Sequence, residues 1–129
     1  MGGHAKVLLV EDSKFLRLAS ERILARAGFD VSTAGDGEEA LRLANDNLPD
    51  VILLDLLLPK ISGPEVLRAL KNNPATLHIP VIVLSGLSQR NEEKLVKEGA
   101  AAYFEKGALD LENHSERLVT AVRSVLHRE

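Results

Sequence analysis

Four short apolar segments of the chain each lead into a polar residue of a kind that binds phosphate or metal. Continuous apolar runs of this length, rich in β-branched residues, are typical of parallel strands that are buried on both faces. The segments are Val7–Val10 before Glu11 and Asp12, Val51–Leu54 before Asp55, Val81–Leu84 before Ser85, and Ala101–Glu105 before Lys106. In open α/β sheets, ligands bind outside the carboxyl ends of the strands. We therefore expect these polar residues to form a site at one edge of a sheet.

Helical patterns alternate with the strand-like segments. A weaker strand is predicted at Asp30–Ala34, and helices are predicted at about Ser13–Ala27, Ser88–Glu98 and Leu111–His127. A second helix is predicted to open at Asp36–Glu39 and to be ended by Asn47–Pro49, and a third is predicted to start at Ser62–Glu65 and to be ended by Asn72–Pro74. This alternation predicts an α/β fold, a doubly wound (βα)5 three-layer sandwich of the flavodoxin-like type. Its five-stranded parallel sheet is expected in the order 2-1-3-4-5, the simplest order that places the first and third strands side by side.

Several local signals support the helices. Ser62 and Glu65 fit a capping box, and Asp36 precedes two glutamates at a similar helix start. The first helix carries one apolar stripe, and the last helix has apolar residues that we expect to face inward. The stripe consists of Leu16, Ala19, Ile23 and Ala27, and the inward residues are Leu118, Val122, Val125 and Leu126.

Length and charge limit the classes of protein that need to be considered. The 129 residues suffice for a single domain, and we expect one domain with a core at about 6–127 and no effector domain. We therefore expect a stand-alone domain or one cut from a longer protein. The net charge of −3 provides no basic surface for direct nucleic-acid binding or for an anionic membrane. A signal peptide and a membrane-spanning run are not visible in the sequence, so a cytoplasmic location is expected.

The acidic residues at the first and third strand ends predict a metal site. Glu11, Asp12 and Asp55 would lie close together at adjacent strand ends, and their like charges need a counter-charge. Mg²⁺ fits best, because it binds through one or two carboxylates and keeps positions open for water and phosphate. With the metal present, a carboxylate can attack phosphorus and form an aspartyl-phosphate. Lys106 could pair with one phosphoryl oxygen and the Ser85 hydroxyl could donate to another.

With these residues in place, the chain resembles a receiver domain of the two-component response regulators. The resemblance extends from Lys6 to about Leu126 and rests on the acidic pair, the Asp55 segment, Ser85, and Tyr103 with Lys106. It implies that Asp55 accepts a phosphoryl group from the phosphohistidine of a histidine kinase or a histidine phosphotransfer protein. It also implies that Glu11, Asp12, Asp55 and the backbone carbonyl of Leu57 bind Mg²⁺.

The resemblance further implies a switch between two conformations. Ser85 and Tyr103 would rearrange together on phosphorylation, while Lys106 would contact the phosphoryl group. An unidentified downstream protein would bind the face made by the fourth predicted helix, the fifth strand and the last helix. Such a domain is not an enzyme, since it catalyses only its own phosphoryl transfer and a slow autodephosphorylation.

The chain also departs from the family pattern. Gly107 stands where the family usually has proline after the lysine, so we expect the Lys106 loop to follow another path. Two apolar residues, Leu57 and Leu87, lie two positions after Asp55 and Ser85. Because neither can orient an attacking water, we predict slow hydrolysis of the phosphoryl group.

Three other functions remain open on the sequence alone. A magnesium-dependent phosphatase with an aspartyl-phosphate intermediate would want a second acid where Leu57 stands. A flavodoxin-type cofactor-binding module would want a phosphate loop rich in Ser, Thr and Gly after the first strand, where Glu11 and Asp12 lie. An interaction-only receiver that has lost phosphorylation is disfavoured, because Asp55, Asp12 and Lys106 are all present.

Overall fold

The computed structural model describes residues 4–85, 99–105 and 111–127, which form a parallel sheet with helices on both faces. The elements are β1 (Lys6–Val10), α1 (Lys14–Arg26), β2 (Asp30–Ala34), α2 (Gly37–Asn47), β3 (Val51–Asp55), α3 (Gly63–Lys71), β4 (Val81–Ser85), β5 (Ala102–Glu105) and a C-terminal helix (Leu111–Leu126). These bounds agree with the predicted elements to within one or two residues. The helix predicted at Ser88–Glu98 lies outside the described residues.

The five strands are parallel and lie in the order β2-β1-β3-β4-β5. The predicted fold class and strand order are therefore confirmed. β1 lies between β2 and β3, so the first and third strands are neighbours, and their last paired residues are Val10 and Leu54. From β1 the chain continues to β2 on one side, and from β3 it continues to β4 and β5 on the other side. Ligands bind at such a reversal of strand order, between β1 and β3, in folds of this type.

Both faces of the sheet are covered by helices, because successive side chains of a strand point to opposite sides. Leu8 and Val10 pack with residues of α2 and α3, whereas Val7 and Leu9 pack with Leu24 of α1 and with the C-terminal helix. All five residues of β3 are buried, as expected for the central strand. The apolar strand segments thus have the two-sided burial that their sequences predict.

The predicted helix starts are present. Asp36 caps α2 by accepting a hydrogen bond from the Glu39 amide at 2.9 Å. At α3, Ser62 and Glu65 form the predicted capping box, with Pro64 tolerated in the first turn. Since each helix follows a strand, these capped ends lie at the carboxyl edge of the sheet, and they fix the loops that carry the polar residues.

The apolar stripe predicted for α1 is only partly right. Leu16 is 40% exposed, whereas Leu24, outside the stripe, is completely buried against the sheet. Ile23 is half-buried and packs against the same core. Ile23 and Leu24 are adjacent, about 100° apart around the helix, so periodicity alone leaves the centre of the buried face undecided. The inward residues of the C-terminal helix are confirmed: Leu118, Val122 and Val125 are buried and Leu126 is half-buried.

Candidate functional site

The pairing of β1 with β3 places the acidic residues of the two strands side by side. Val10 is level with Leu54, so Glu11 and Asp55, one residue further along, lie opposite each other at the carboxyl edge. The Glu11 amide still donates to the Ala34 carbonyl of β2 at 3.0 Å, which holds the chain in the sheet up to this point. Asp12 then leads into the turn before α1. Strand register therefore positions the cluster.

The structure brings Glu11, Asp12 and Asp55 together as predicted. One carboxylate oxygen from each of these residues lies within 4.8 Å of the other two. Glu11 and Asp55 are 3% and 4% exposed, while Asp12 is exposed to solvent. At this separation and an effective dielectric constant of about 20, two carboxylates repel each other by roughly 3.5 kcal/mol. A divalent cation would reverse the sign of that term, and an all-oxygen ligand set suits Mg²⁺.

Backbone amides orient the two buried carboxylates. The Ser13 amide donates to Oε2 of Glu11 at 3.2 Å, and the Leu57 amide donates to Oδ1 of Asp55 at 3.2 Å. The Leu57 side chain is 66% exposed, so its apolar surface faces solvent beside Asp55. The acidic groups are thus held by the loops that follow their own strands, while their charges remain at the edge of the sheet.

Arg17, which the sequence analysis did not single out, lies across the loop between β1 and α1. Its Nη1 donates to the carbonyl of Glu11 at 2.9 Å and lies 3.5 Å from the carbonyl of Asp12. Gly35 leaves room for this side chain, because a Cβ there would lie 3.3 Å from Nη1. An arginine six residues after a strand-ending acid has no recognisable motif, so only the tertiary structure reveals the contact.

The loop between β3 and α3 is tied to the start of α2. Lys60 Nζ lies 3.6 Å from Oδ2 of Asp36 and 3.6 Å from Oε1 of Glu38. The Glu39 amide that donates to Asp36, together with the charge of Lys60, holds the pKa of Asp36 below its ordinary value. Gly37 permits the close approach of the two loops, since a Cβ there would lie 2.6 Å from the Ile61 carbonyl oxygen. This contact anchors the segment that follows Asp55.

The remaining predicted residues lie along β4 and β5. Ser85 ends β4 and is paired with Glu105 of β5, although the Ser85 side chain and all of Lys106 lie outside the described part of the structure. Tyr103 is paired with Val83 and is half-buried against the core on the α2 and α3 side. The predicted backbone ligand, Leu57, lies two residues after Asp55 and next to the acidic cluster.

The sequence matches the response regulator receiver domain family over residues 7–123. The chain belongs to this family. The receiver domain is 41% identical over 108 residues to the gliding motility regulatory protein of Myxococcus xanthus, covering 83% of the chain but only 14% of that protein. It is 34% identical over 101 residues to the polar-differentiation response regulator DivK of Brucella anthropi, covering 78% of the chain and 82% of that protein.

Solved receiver domains have the same architecture. The receiver domain of the Francisella response regulator 1452 superimposes with a TM-score of 0.86 at 31% identity, covering 97% of this chain and 98% of that one. Receiver domains are signalling modules, and members of this family typically bind Mg²⁺ at an acidic pocket. This chain has a cluster of three acidic residues, Glu11, Asp12 and Asp55, at the carboxyl edge of its sheet. Within the described residues, no helix has the length and apolar character needed to cross a membrane.

Proposed function

We propose that this receiver domain accepts a phosphoryl group on Asp55 in a magnesium-dependent phosphorelay reaction. The observation that carries the proposal is the convergence of three carboxylates within 4.8 Å at the point where the strand order reverses. Two of the three are almost completely buried, an arrangement that costs free energy and that a bound cation would offset. The family resemblance supports the same conclusion independently.

Glu11, Asp12, Asp55 and the backbone carbonyl of Leu57 are the proposed ligands of Mg²⁺. Bound there, the ion would neutralise negative charge on the acidic cluster and on the incoming phosphoryl oxygens. Glu11 and Asp55 are held by backbone amides, whereas Asp12 is exposed and reachable from solvent. The carbonyl and carboxylate oxygens of this set are hard ligands of the kind that Mg²⁺ prefers.

In the proposed reaction, a carboxylate oxygen of Asp55 attacks the phosphorus of a phosphohistidine. The new P–O bond forms as the P–N bond breaks, and the electron pair stays on the imidazole nitrogen. The hydrogen bond from the Leu57 amide to Oδ1 orients the nucleophile. Lys106 and the Ser85 hydroxyl are proposed to contact the phosphoryl oxygens. Ser85 and Tyr103 are proposed to couple phosphorylation to a change of conformation.

The proposed donor is a histidine kinase or a histidine phosphotransfer protein. The proposed downstream partner binds the face made by the fourth predicted helix, β5 and the C-terminal helix. On that face, Phe104 and Arg117 form a contact, with the guanidinium carbon 5.7 Å from the ring centre. Phosphorylation would act by shifting the populations of two conformations of this surface.

The test is intact mass spectrometry after incubation with acetyl phosphate and Mg²⁺. We expect the parent protein to gain the mass of one phosphoryl group, and the Asp55→Asn variant and the metal-chelated parent to gain none. Asp46→Asn is the matched control, because Asp46 is an exposed acid of α2 whose ion pair is with Arg42. A parent protein that stays unmodified would contradict the proposal. Phosphorylation of Asp55→Asn would overturn the choice of acceptor.

A further inference from the structure

Arg17 holds the backbone on both sides of Asp12. The Glu11 carbonyl belongs to the peptide plane that precedes the Asp12 Cα, and the Asp12 carbonyl belongs to the plane that follows it. Arg17 Nη1 donates to the first at 2.9 Å and approaches the second at 3.5 Å. Because the orientations of the two planes define φ and ψ of Asp12, they also fix the direction of its Cα–Cβ bond. One guanidinium nitrogen therefore restrains the orientation of the Asp12 carboxylate.

Asp12 needs such a restraint more than its neighbours do. Glu11 and Asp55 are buried and accept hydrogen bonds from the Ser13 and Leu57 amides. Asp12 is exposed, so packing does not fix its side chain. A ligand whose backbone is free to rotate loses conformational entropy when it binds a metal, and this loss lowers the affinity.

The guanidinium contacts carbonyl groups instead of neutralising the acidic cluster directly. Arg17 is not in any of the ion pairs between described residues, which involve Arg42 and Lys60. Its main-chain amide donates to the Ser13 carbonyl at 2.8 Å, which fixes the residue in the first turns of α1. The side chain thus reaches back from a rigid helix to the loop that carries the acidic pair.

We propose that Arg17 is a positioning residue for the cation site and increases Mg²⁺ affinity by fixing the backbone of Asp12. This inference rests on the proposed function, since it assigns the residue a role at the same metal site. Electrostatics alone predicts an effect of the opposite sign. A positive charge near a cation site disfavours the cation, so removal of the charge would increase the affinity. The sign of the change in affinity therefore separates the two effects.

The experiment is isothermal titration of the unphosphorylated protein with Mg²⁺ alone, using Arg17→Ala, Arg17→Lys and Arg22→Ala. We expect Arg17→Ala to weaken Mg²⁺ binding about tenfold, the lower end of the range for residues that orient metal ligands. Arg17→Lys keeps a single donor nitrogen with a positive charge, and we expect an affinity within about threefold of the parent. Arg22→Ala removes the same charge from an exposed position of α1 and should not weaken binding.

The metal-free proteins supply the structural control. Circular dichroism should show each variant folded at the titration temperature, and amide NMR signals of residues 11–13 should shift in Arg17→Ala but not in Arg22→Ala. Equal or tighter Mg²⁺ binding by Arg17→Ala would overturn the inference while leaving the proposed function intact. A parent protein that binds no Mg²⁺ would instead remove the proposed function itself. Binding weakened as much by Arg22→Ala as by Arg17→Ala would also overturn the inference, because the loss would then not depend on the contact between Arg17 and the Asp12 backbone.

Discussion

Replacing Gly63 with alanine tests whether the close packing of α3 against the end of β3 holds the Asp55 segment in place. An ideal Cβ at Gly63 would lie 2.5 Å from the Cα of Leu56, 2.6 Å from the Asp55 carbonyl oxygen and 2.8 Å from the Leu56 carbonyl oxygen. All three are backbone atoms, so a change of rotamer cannot relieve the overlap. The loop and the helix must separate by about 0.9 Å to restore ordinary contact near 3.4 Å.

The destabilisation can be worked out from this displacement. The Gly63 amide donates to the Leu56 carbonyl at 3.0 Å, and a separation of that size would break the bond, at a cost of about 1 kcal/mol. Overpacking adds about 1–3 kcal/mol, and the higher helix propensity of alanine returns up to about 1 kcal/mol. The net expectation is a loss of about 1–4 kcal/mol. In a chain of 129 residues this lowers the melting temperature by roughly 4–15 °C.

The assay combines thermal and urea unfolding with the rate of phosphorylation by acetyl phosphate. Gly35→Ala is the matched control for stability, because its Cβ would meet only side-chain atoms of Arg17, the nearest at 3.3 Å, and no backbone atom, so we expect a change within about 0.5 kcal/mol. Gly63→Ala should also be phosphorylated more slowly at a temperature where it is folded, since the Asp55 backbone is displaced. If Gly63→Ala matched the parent in stability, the argument from close approach would be refuted.

Three further predictions concern other groups. Asp36→Asn keeps the cap acceptor but loses the charge. Because the folded-state pKa of Asp36 is lowered, the stabilisation from its charge is complete above the unfolded-state pKa of 3.8 and is lost as the pH falls through the folded-state pKa. Thermal melts should therefore show a higher melting temperature for the parent at neutral pH, and the gap between the two melting temperatures should close in acid. A gap that persists in acid would contradict this. Lys71→Met should lower the free energy of unfolding, measured by urea denaturation, by about 1–2 kcal/mol. The reason is that Lys71 Nζ donates hydrogen bonds to the Leu77 and Ile79 carbonyls at 3.0 and 2.8 Å, which methionine cannot replace. Lys71→Arg, which keeps a donor, is the control. Leu57→Asn should shorten the lifetime of the phosphoryl group about tenfold, because asparagine can orient an attacking water and leucine cannot; a positioned general base would accelerate the hydrolysis roughly hundredfold. A phosphoryl lifetime in the parent protein as short as in the variant would disprove this reasoning.

The local pattern of the chain predicted most of the fold. Four of the five strands were visible as apolar runs with a polar residue at the end, and the Ser62–Glu65 capping box marked the start of α3. These signals depend on residues close together in the sequence, where side-chain alternation and backbone capping act directly. Their combination predicted the parallel sheet. The strand order was a choice of the simplest arrangement with the first and third strands side by side, and the structure confirms it.

Much of the candidate site also followed from the sequence. Parallel strands end at one edge, so Glu11, Asp12 and Asp55 could be placed together before any distance was measured. The assignments of Ser85, Tyr103 and Lys106 stay predictions, since the contacts of the Ser85 hydroxyl and the position of Lys106 lie outside the described residues. The same holds for the slow hydrolysis expected from Leu57 and Leu87.

The sequence by itself determined the kinds of elements, their order and the edge at which the acidic groups meet. Only the tertiary structure decided that α1 buries Leu24 and not Leu16, that Gly63 lies against the backbone of Leu56, and that Arg17 restrains the loop of Asp12. The physical reason is the range of the interactions. Periodicity and capping act within a few residues, whereas each of these contacts depends on how separate segments pack together in three dimensions.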